Sequence, residues 1–162
     1  MAVEAFLKLD GIDGESTKDG HTNEIELFSF SWGASNPTSV SFGTGSGAGK
    51  VDISSLTVQT QVAKQSPKLF LACASGQHVA KGKLTVREAG GGEKPLEYLT
   101  YDMEEVFIDS VSWGGASGGG KPSESISMSF KKITMTYWPQ NADGTLGDKI
   151  PAGWDVSTNK KV

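Results

Sequence analysis

Apolar side chains recur at every second position along most of this chain, and a helical period occurs once. In AVEAFLKL (2–9), Val3, Ala5, Leu7 and Leu9 fall on one face, which predicts a strand. NEIELFSFSW (23–32) predicts a second. There Ile25 and Leu27 share a face with Ser29 and Ser31, and Phe28, Phe30 and Trp32 share the other with Glu24 and Glu26. Each face changes character midway, so the two ends of this strand are expected to meet different neighbours. KVDISSLTVQTQV (50–62) slips phase between Ile53 and Leu56, which predicts a bulge near Ser54–Ser55. Further strands are predicted over GKLTVRE (82–88), LEYLTYDMEEVFIDSVSW (96–113), SESISMSFKKITMTYW (123–138) and IPAGWDVST (150–158). In the longest, Leu99, Tyr101, Met103 and Phe107 share a face. In the next, the phase shifts at Lys131–Lys132, from Ile126, Met128 and Phe130 to Ile133, Met135 and Tyr137.

The helix is SPKLFLACASG (66–76), with Ser66 as N-cap, Pro67 in the first turn and Gly76 as a left-handed C-cap. Leu69, Phe70 and Cys73 lie on the face expected to be buried. A helix this short is stable only when packed on the β-structure. Turn chemistry fills 10–21, 89–95, 114–121 and 139–149. Seven or eight strands, some long and with phase slips, and one short helix predict a mainly β fold: two sheets closed into a barrel, as one domain over 1–162.

Composition narrows the function. Of 162 residues, 36% are hydrophobic and 21 are glycine, which suits sheets buried on one face. Fifteen basic and nineteen acidic residues give a net charge of -4 with no basic stripe, so no nucleic-acid partner is expected. Cys73 is the single cysteine, which fits folding in a reducing compartment. MAVEAFLKLDG does not read as a signal peptide, and no apolar run is long enough to span a membrane. The expectation is a chain made in the cytosol, without membrane insertion, that leaves the cell only by a route independent of such a signal.

Residues 33–50 are rich in Gly, Ser and Thr, and SFGTGSGAGK within them resembles a phosphate loop. The resemblance fails on spacing. A P-loop needs a glycine where Thr44 stands and a hydroxyl where Val51 stands. The looser dinucleotide pattern over Gly43–Ala48 should open a helix, yet a β-rich stretch follows. No cofactor is expected. Gly43, Gly45, Gly47, Gly49 and Lys50 read instead as an extended arm that contacts another protein.

Candidate catalytic chemistry is thin. His78 and Cys73 could pair, but a mid-helix cysteine on an apolar face acts as a small hydrophobe. Glu104 and Glu105 point to opposite faces of a strand. Asp10, Asp13, Glu15 and Asp19 lack the spacing of a calcium loop. No metal is expected, and the chain does not read as an enzyme. A monomeric module binding carbohydrate through Trp32, Trp113, Trp138 and Trp154 is the alternative to a protein that functions by assembling.

Five stretches in order carry a resemblance: AVEAFLKLDGIDGES with His21 after it, FSWG at Phe30–Gly33, SPKLFLACASGQH, YLTYDMEEVFIDSVSWGG and WPQNADGT. Together they resemble the haemolysin-coregulated protein (Hcp) family of bacterial type VI secretion systems, end to end. The composition of loop 36–47 departs from that pattern. The resemblance implies a tight barrel with one flanking helix and a homo-hexameric ring with a wide pore. It implies rings stacked into a tube similar to a phage tail tube. It further implies a spike protein and contractile sheath as partners, effector proteins carried and stabilised in the lumen, and export without a signal peptide. It also implies a lumen position for Ser31, where a small polar side chain leaves room for cargo.

Overall fold

The computed structural model describes residues 2–37, 50–89 and 94–162. Its strands in chain order are β1 (Ala2–Leu9), β2 (Ile25–Leu27), β3 (Ser29–Ser31), β4 (Ala34–Ser35), β5 (Asp52–Ile53) and β6 (Leu56–Gln61). After the helix α1 (Gln65–Ser75) come β7 (Val79–Ala89), β8 (Leu96–Gly114), β9 (Ser123–Tyr137), β10 (Ile150–Asp155) and β11 (Lys160–Lys161). The predicted strand 23–32 is divided at Phe28. Residues 25–27 pair with β1, and residues 29–31 pair with β6. The midway change of character marks this change of partner.

That division closes the barrel. All pairings are antiparallel and run β2–β1–β7–β8–β9–β6–β3. The Phe28 N–H donates to the Gln59 carbonyl at 2.7 Å, so the circuit is completed through the chain at the β2–β3 joint rather than through an unbroken ladder. The predicted bulge at Ser54–Ser55 is likewise a joint: β5 pairs with β4 in a separate two-stranded sheet, and β6 belongs to the barrel.

Alternation reverses wherever a strand passes a corner of the barrel. Ile25 and Leu27 point inward before Phe28, and Phe30 packs inward after it. In β8, Tyr101 and Met103 are buried, then Val106 and Ile108. The reversal sits at Glu105, whose φ is 50°. Phe107 is therefore outside and 40% exposed, not on the face of Met103. In β9 the reversal falls at Lys131–Lys132, between buried Phe130 and buried Ile133, as the sequence predicts. Met135 and Tyr137, opposite Tyr101 and Leu99, are exposed.

The core is aliphatic, with Leu7, Leu9, Leu56, Val58, Leu84, Met103, Val106, Ile126 and Met128 at its centre. Helix α1 adds Leu69, which is fully buried. Its C-cap is Gly76 with φ 71°, whose N–H donates to Ala72 O. Its start differs from expectation. Gln65 and Ser66 are already inside the helix, and Lys64 before them makes no side-chain cap. The Ser66 hydroxyl is drawn to a buried carboxylate instead. Phe70 is exposed, and Cys73 is half-buried against the core.

Candidate interaction surface

Strands β3, β6, β9 and β8 lie side by side in strict register, and their outward residues form two rows. One row is Ser29, Gln59, Ser125 and Ser112; the other is Ser31, Thr57, Ser127 and Ser110. Between them runs the inward row Phe30, Val58, Ile126 and Val111, which packs into or against the core. The apolar row fixes the register, because a slip of one residue would bury the hydroxyls. The outward rows carry no charge and no large apolar group. At about 4.8 Å per strand, the face is roughly 14 Å across.

Its inner strands satisfy one another. Thr57 and Ser127 share a hydrogen bond of 3.0 Å, and Gln59 Nε2 donates to Ser125 Oγ at 2.9 Å. Just below, the exposed Asp109 accepts from Ser55 at 3.0 Å and from Ser129 at 2.9 Å, one donor on each carboxylate oxygen. Ser29 and Ser31 on one margin, and Ser110 and Ser112 on the other, are exposed. The opposite side of the barrel contrasts with this. There Lys8, Lys83 and Asp102 form one outward row, and Lys81, Glu104 and Lys132 another.

Among the described residues, both margins of the neutral face lack a second strand partner. Among these residues, strand β3 is paired only on its β6 side and β8 beyond Val106 only with β9, where Cys73 Sγ of the helix approaches the Asp109 carbonyl at 3.7 Å. Helix α1 packs behind the second margin, anchored on Glu124. This residue is fully buried, with Gln65 Nε2 donating to it at 2.9 Å, Trp113 Nε1 at 2.6 Å, and Ser66 Oγ as a third donor. Nothing in the sequence pattern marked Glu124. It stands in the apolar phase of β9, two residues before Ile126, but only the packing of α1 shows why a carboxylate sits there.

Of the residues expected to contact partners, Ser31 lies in the neutral face. Lys50 is exposed just before β5, and Gly43, Gly45, Gly47 and Gly49 lie outside the described residues. His21 is no loop histidine free for chemistry. It is 5% exposed, stacked on Phe6 at 4.3 Å, with its ring nitrogens 2.9 Å from Glu24 and 2.6 Å from Glu97. Of the four tryptophans, Trp113 is exposed, while Trp32, Trp138 and Trp154 are half-buried. They do not form one stacking surface: Trp32 sits edge-on to Tyr101 and Phe130, whereas Trp113 faces Phe70.

Residues 6–137 match the family model described as type VI secretion system effector, Hcp. The chain belongs to the Hcp family. Protein hcp1 of Pseudomonas aeruginosa is 39% identical to it over 160 residues, 98% of each chain. A solved structure of a type six secretion system protein superposes with a TM-score of 0.91 at 36% identity, covering 99% of this chain and 100% of the other. Hcp1 from Salmonella typhimurium superposes with a TM-score of 0.82 at 36% identity, over the full length of both. This is a secretion-system family of β-rich proteins, and the barrel with one flanking helix is its fold. Among the described residues, no helix is long and apolar enough to cross a membrane.

Proposed function

We propose that the chain is the repeating subunit of a homo-hexameric ring whose neutral four-strand face lines a central pore. Rings stack into a tube that is driven out by a contractile sheath with a spike protein at its tip. Effector proteins ride in the lumen against Ser31 and its neighbours, and the protein waits in the cytoplasm before export. The whole chain acts as one domain, and it carries and shelters its cargo without catalysing a reaction.

The observation that carries this reading is the neutral face bounded by two open strand edges. A closed ring needs two different surfaces on each subunit, one fitting the other on its neighbour. An unpaired edge at Ser29–Ser31 and another along the end of β8 meet that need, because strand edges supply main-chain hydrogen bonds across a joint. A lining of short hydroxyls leaves the bore wide, with Asp109 as the charge nearest to the two rows. The histidines are engaged elsewhere, His21 between two carboxylates and His78 against Phe107, which agrees with a structural role. The arm bearing Gly43, Gly45, Gly47, Gly49 and Lys50 supplies ring or tube contacts in this scheme.

Size exclusion with light scattering tests the reading first. A mass near six times the 17.1 kDa of the chain, with pores in electron micrographs, is expected. A monomer at all concentrations would overturn the ring.

A further inference from the structure

At the end of the barrel away from the β8–β9 hairpin tip, Glu88, Leu96, Tyr98, Tyr137, Trp138, Gln140 and Leu146 line a half-open cavity of about 220 Å³. Its frame is held by hydrogen bonds. The Trp138 N–H donates to Tyr98 O at 2.9 Å, fixing two of the aromatic residues relative to each other. The outer wall is the loop after β9, folded back by a bridge between Gln140 and Leu146 and by the Asn141 N–H donating to Thr145 O at 2.7 Å.

The polar groups around this cavity are unused. Among the described residues, the Tyr98 and Tyr137 hydroxyls, the Trp138 indole N–H and the Glu88 carboxylate make no side-chain hydrogen bond within 3.5 Å, and Glu88 makes no ion pair within 4.0 Å. No lysine or arginine lines the cavity. The Tyr98 hydroxyl is held above its ordinary range, first by burial and then by the charge of Glu88, as expected for a phenol and a carboxylate facing one space without a cation between them.

Three aromatic rings and one carboxylate are what a cation needs for recognition: ring faces attract positive charge, and the carboxylate supplies an ion pair. The volume suits one small group, since sites for whole small organic molecules run from about 300 to 1,000 Å³. We propose that this pocket binds a single organic cation, the ammonium or guanidinium end of a lysine or arginine side chain. It is separate from the neutral face and does not depend on the ring reading.

The test uses the full chain labelled with fluorotryptophan, with the Trp138 resonance assigned by Trp138→Phe and followed by fluorine NMR. The probes are Nα-acetyl-lysine methylamide, its arginine counterpart, the neutral norleucine counterpart, and tetramethylammonium. The lysine and arginine probes are expected to shift the Trp138 resonance saturably, while norleucine does not. Glu88→Gln and Tyr137→Leu, both at partly exposed positions that leave the barrel intact, should each weaken binding at least about threefold. Saturation by the amino-acid probes assigns the pocket to a protein side chain. Saturation by tetramethylammonium alone would overturn the side-chain assignment in favour of a quaternary ammonium ligand. Equal shifts by lysine and norleucine, or no saturable shift by any probe, overturn the proposal.

Discussion

Glu105 and Lys131 meet across the β8–β9 ladder with 3.2 Å between carboxylate and ammonium, at the corner where both strands reverse the face they bury. Glu104 and Lys132 form the neighbouring pair at 3.7 Å. The reversal in β8 holds Glu105 at φ 50°, a left-handed conformation costing a non-glycine residue about 1–2 kcal/mol. Both partners are nearly half exposed, so the ion pair returns only about 0–1 kcal/mol. Glu105→Gly is therefore expected to leave stability unchanged or raise it by about 1 kcal/mol, and Glu105→Val to lower it by a similar amount. Urea unfolding midpoints of the two variants decide this. A marked loss in the glycine variant would show that the ion pair matters more than the backbone.

Glu124 ties helix α1 to the hairpin through three donors, and Gln65 Oε1 beside it has no partner. Glu124→Gln keeps an acceptor for Trp113 and Ser66, and rotation of the Gln65 amide can meet the new N–H₂. Its cost should be about 1 kcal/mol, the difference between charged and neutral hydrogen bonds. Glu124→Leu strands all the donors and should cost about 3 kcal/mol or more. Equal losses in chemical denaturation would mean that volume, not hydrogen bonding, governs this position.

Gly14 allows the 10–24 loop to cross the chain leading into β2. A Cβ there would stand 2.5 Å from the Glu24 carbonyl oxygen and 2.8 Å from Ile25 Cα, both backbone atoms that cannot swing aside. Gly14→Ala should cost roughly 1–3 kcal/mol, as overpacking does. The melting temperature should fall by about 2–4 °C for each kcal/mol. Gly11→Ala tests a different effect, since nothing lies near its Cβ and only its φ of 80° opposes the methyl.

Glu4 receives a hydrogen bond of 2.8 Å from Arg87, and that bond, with the guanidinium's charge, holds the carboxyl below the ordinary glutamate value of 4.5. A depressed carboxylate contributes stability above its unfolded value that is lost as pH falls through the folded one. Stability should thus decline as the medium is acidified below about 4.5. Glu4→Gln should flatten that limb and, at neutral pH, leave the buried Arg87 without its counter-charge, though still bonded to Asp19 O. An unchanged acid limb in the variant would assign acid lability to other carboxylates.

Ser31 bears on the pore reading. Ser31→Tyr adds a ring to an exposed position in the middle of the neutral face, so the barrel and the ring mass should survive while less guest protein co-purifies. Replacing Gly43, Gly45, Gly47 and Gly49 with bulky residues should give the opposite result, a folded barrel with weakened assembly. Normal assembly of that variant removes the arm from the contact scheme.

Apolar periodicity and cap chemistry determined the long strands, the helix with its Gly76 cap, and the phase shift at Lys131–Lys132, but not the two-residue strands β4 and β11. These rest on neighbours in sequence, where side-chain period and cap chemistry suffice. Tertiary structure decided what depends on pairing across long separations. The change of face in 23–32 was legible, but only the arrival of β1 on one half and β6 on the other shows why the strand divides at Phe28. Ser66 has the chemistry of an N-cap, yet a carboxylate 58 residues away takes its hydroxyl. The neutral face is also a product of register. Its serines are scattered over four segments, and cross-strand pairing sets them in two rows because the apolar row between them must stay buried.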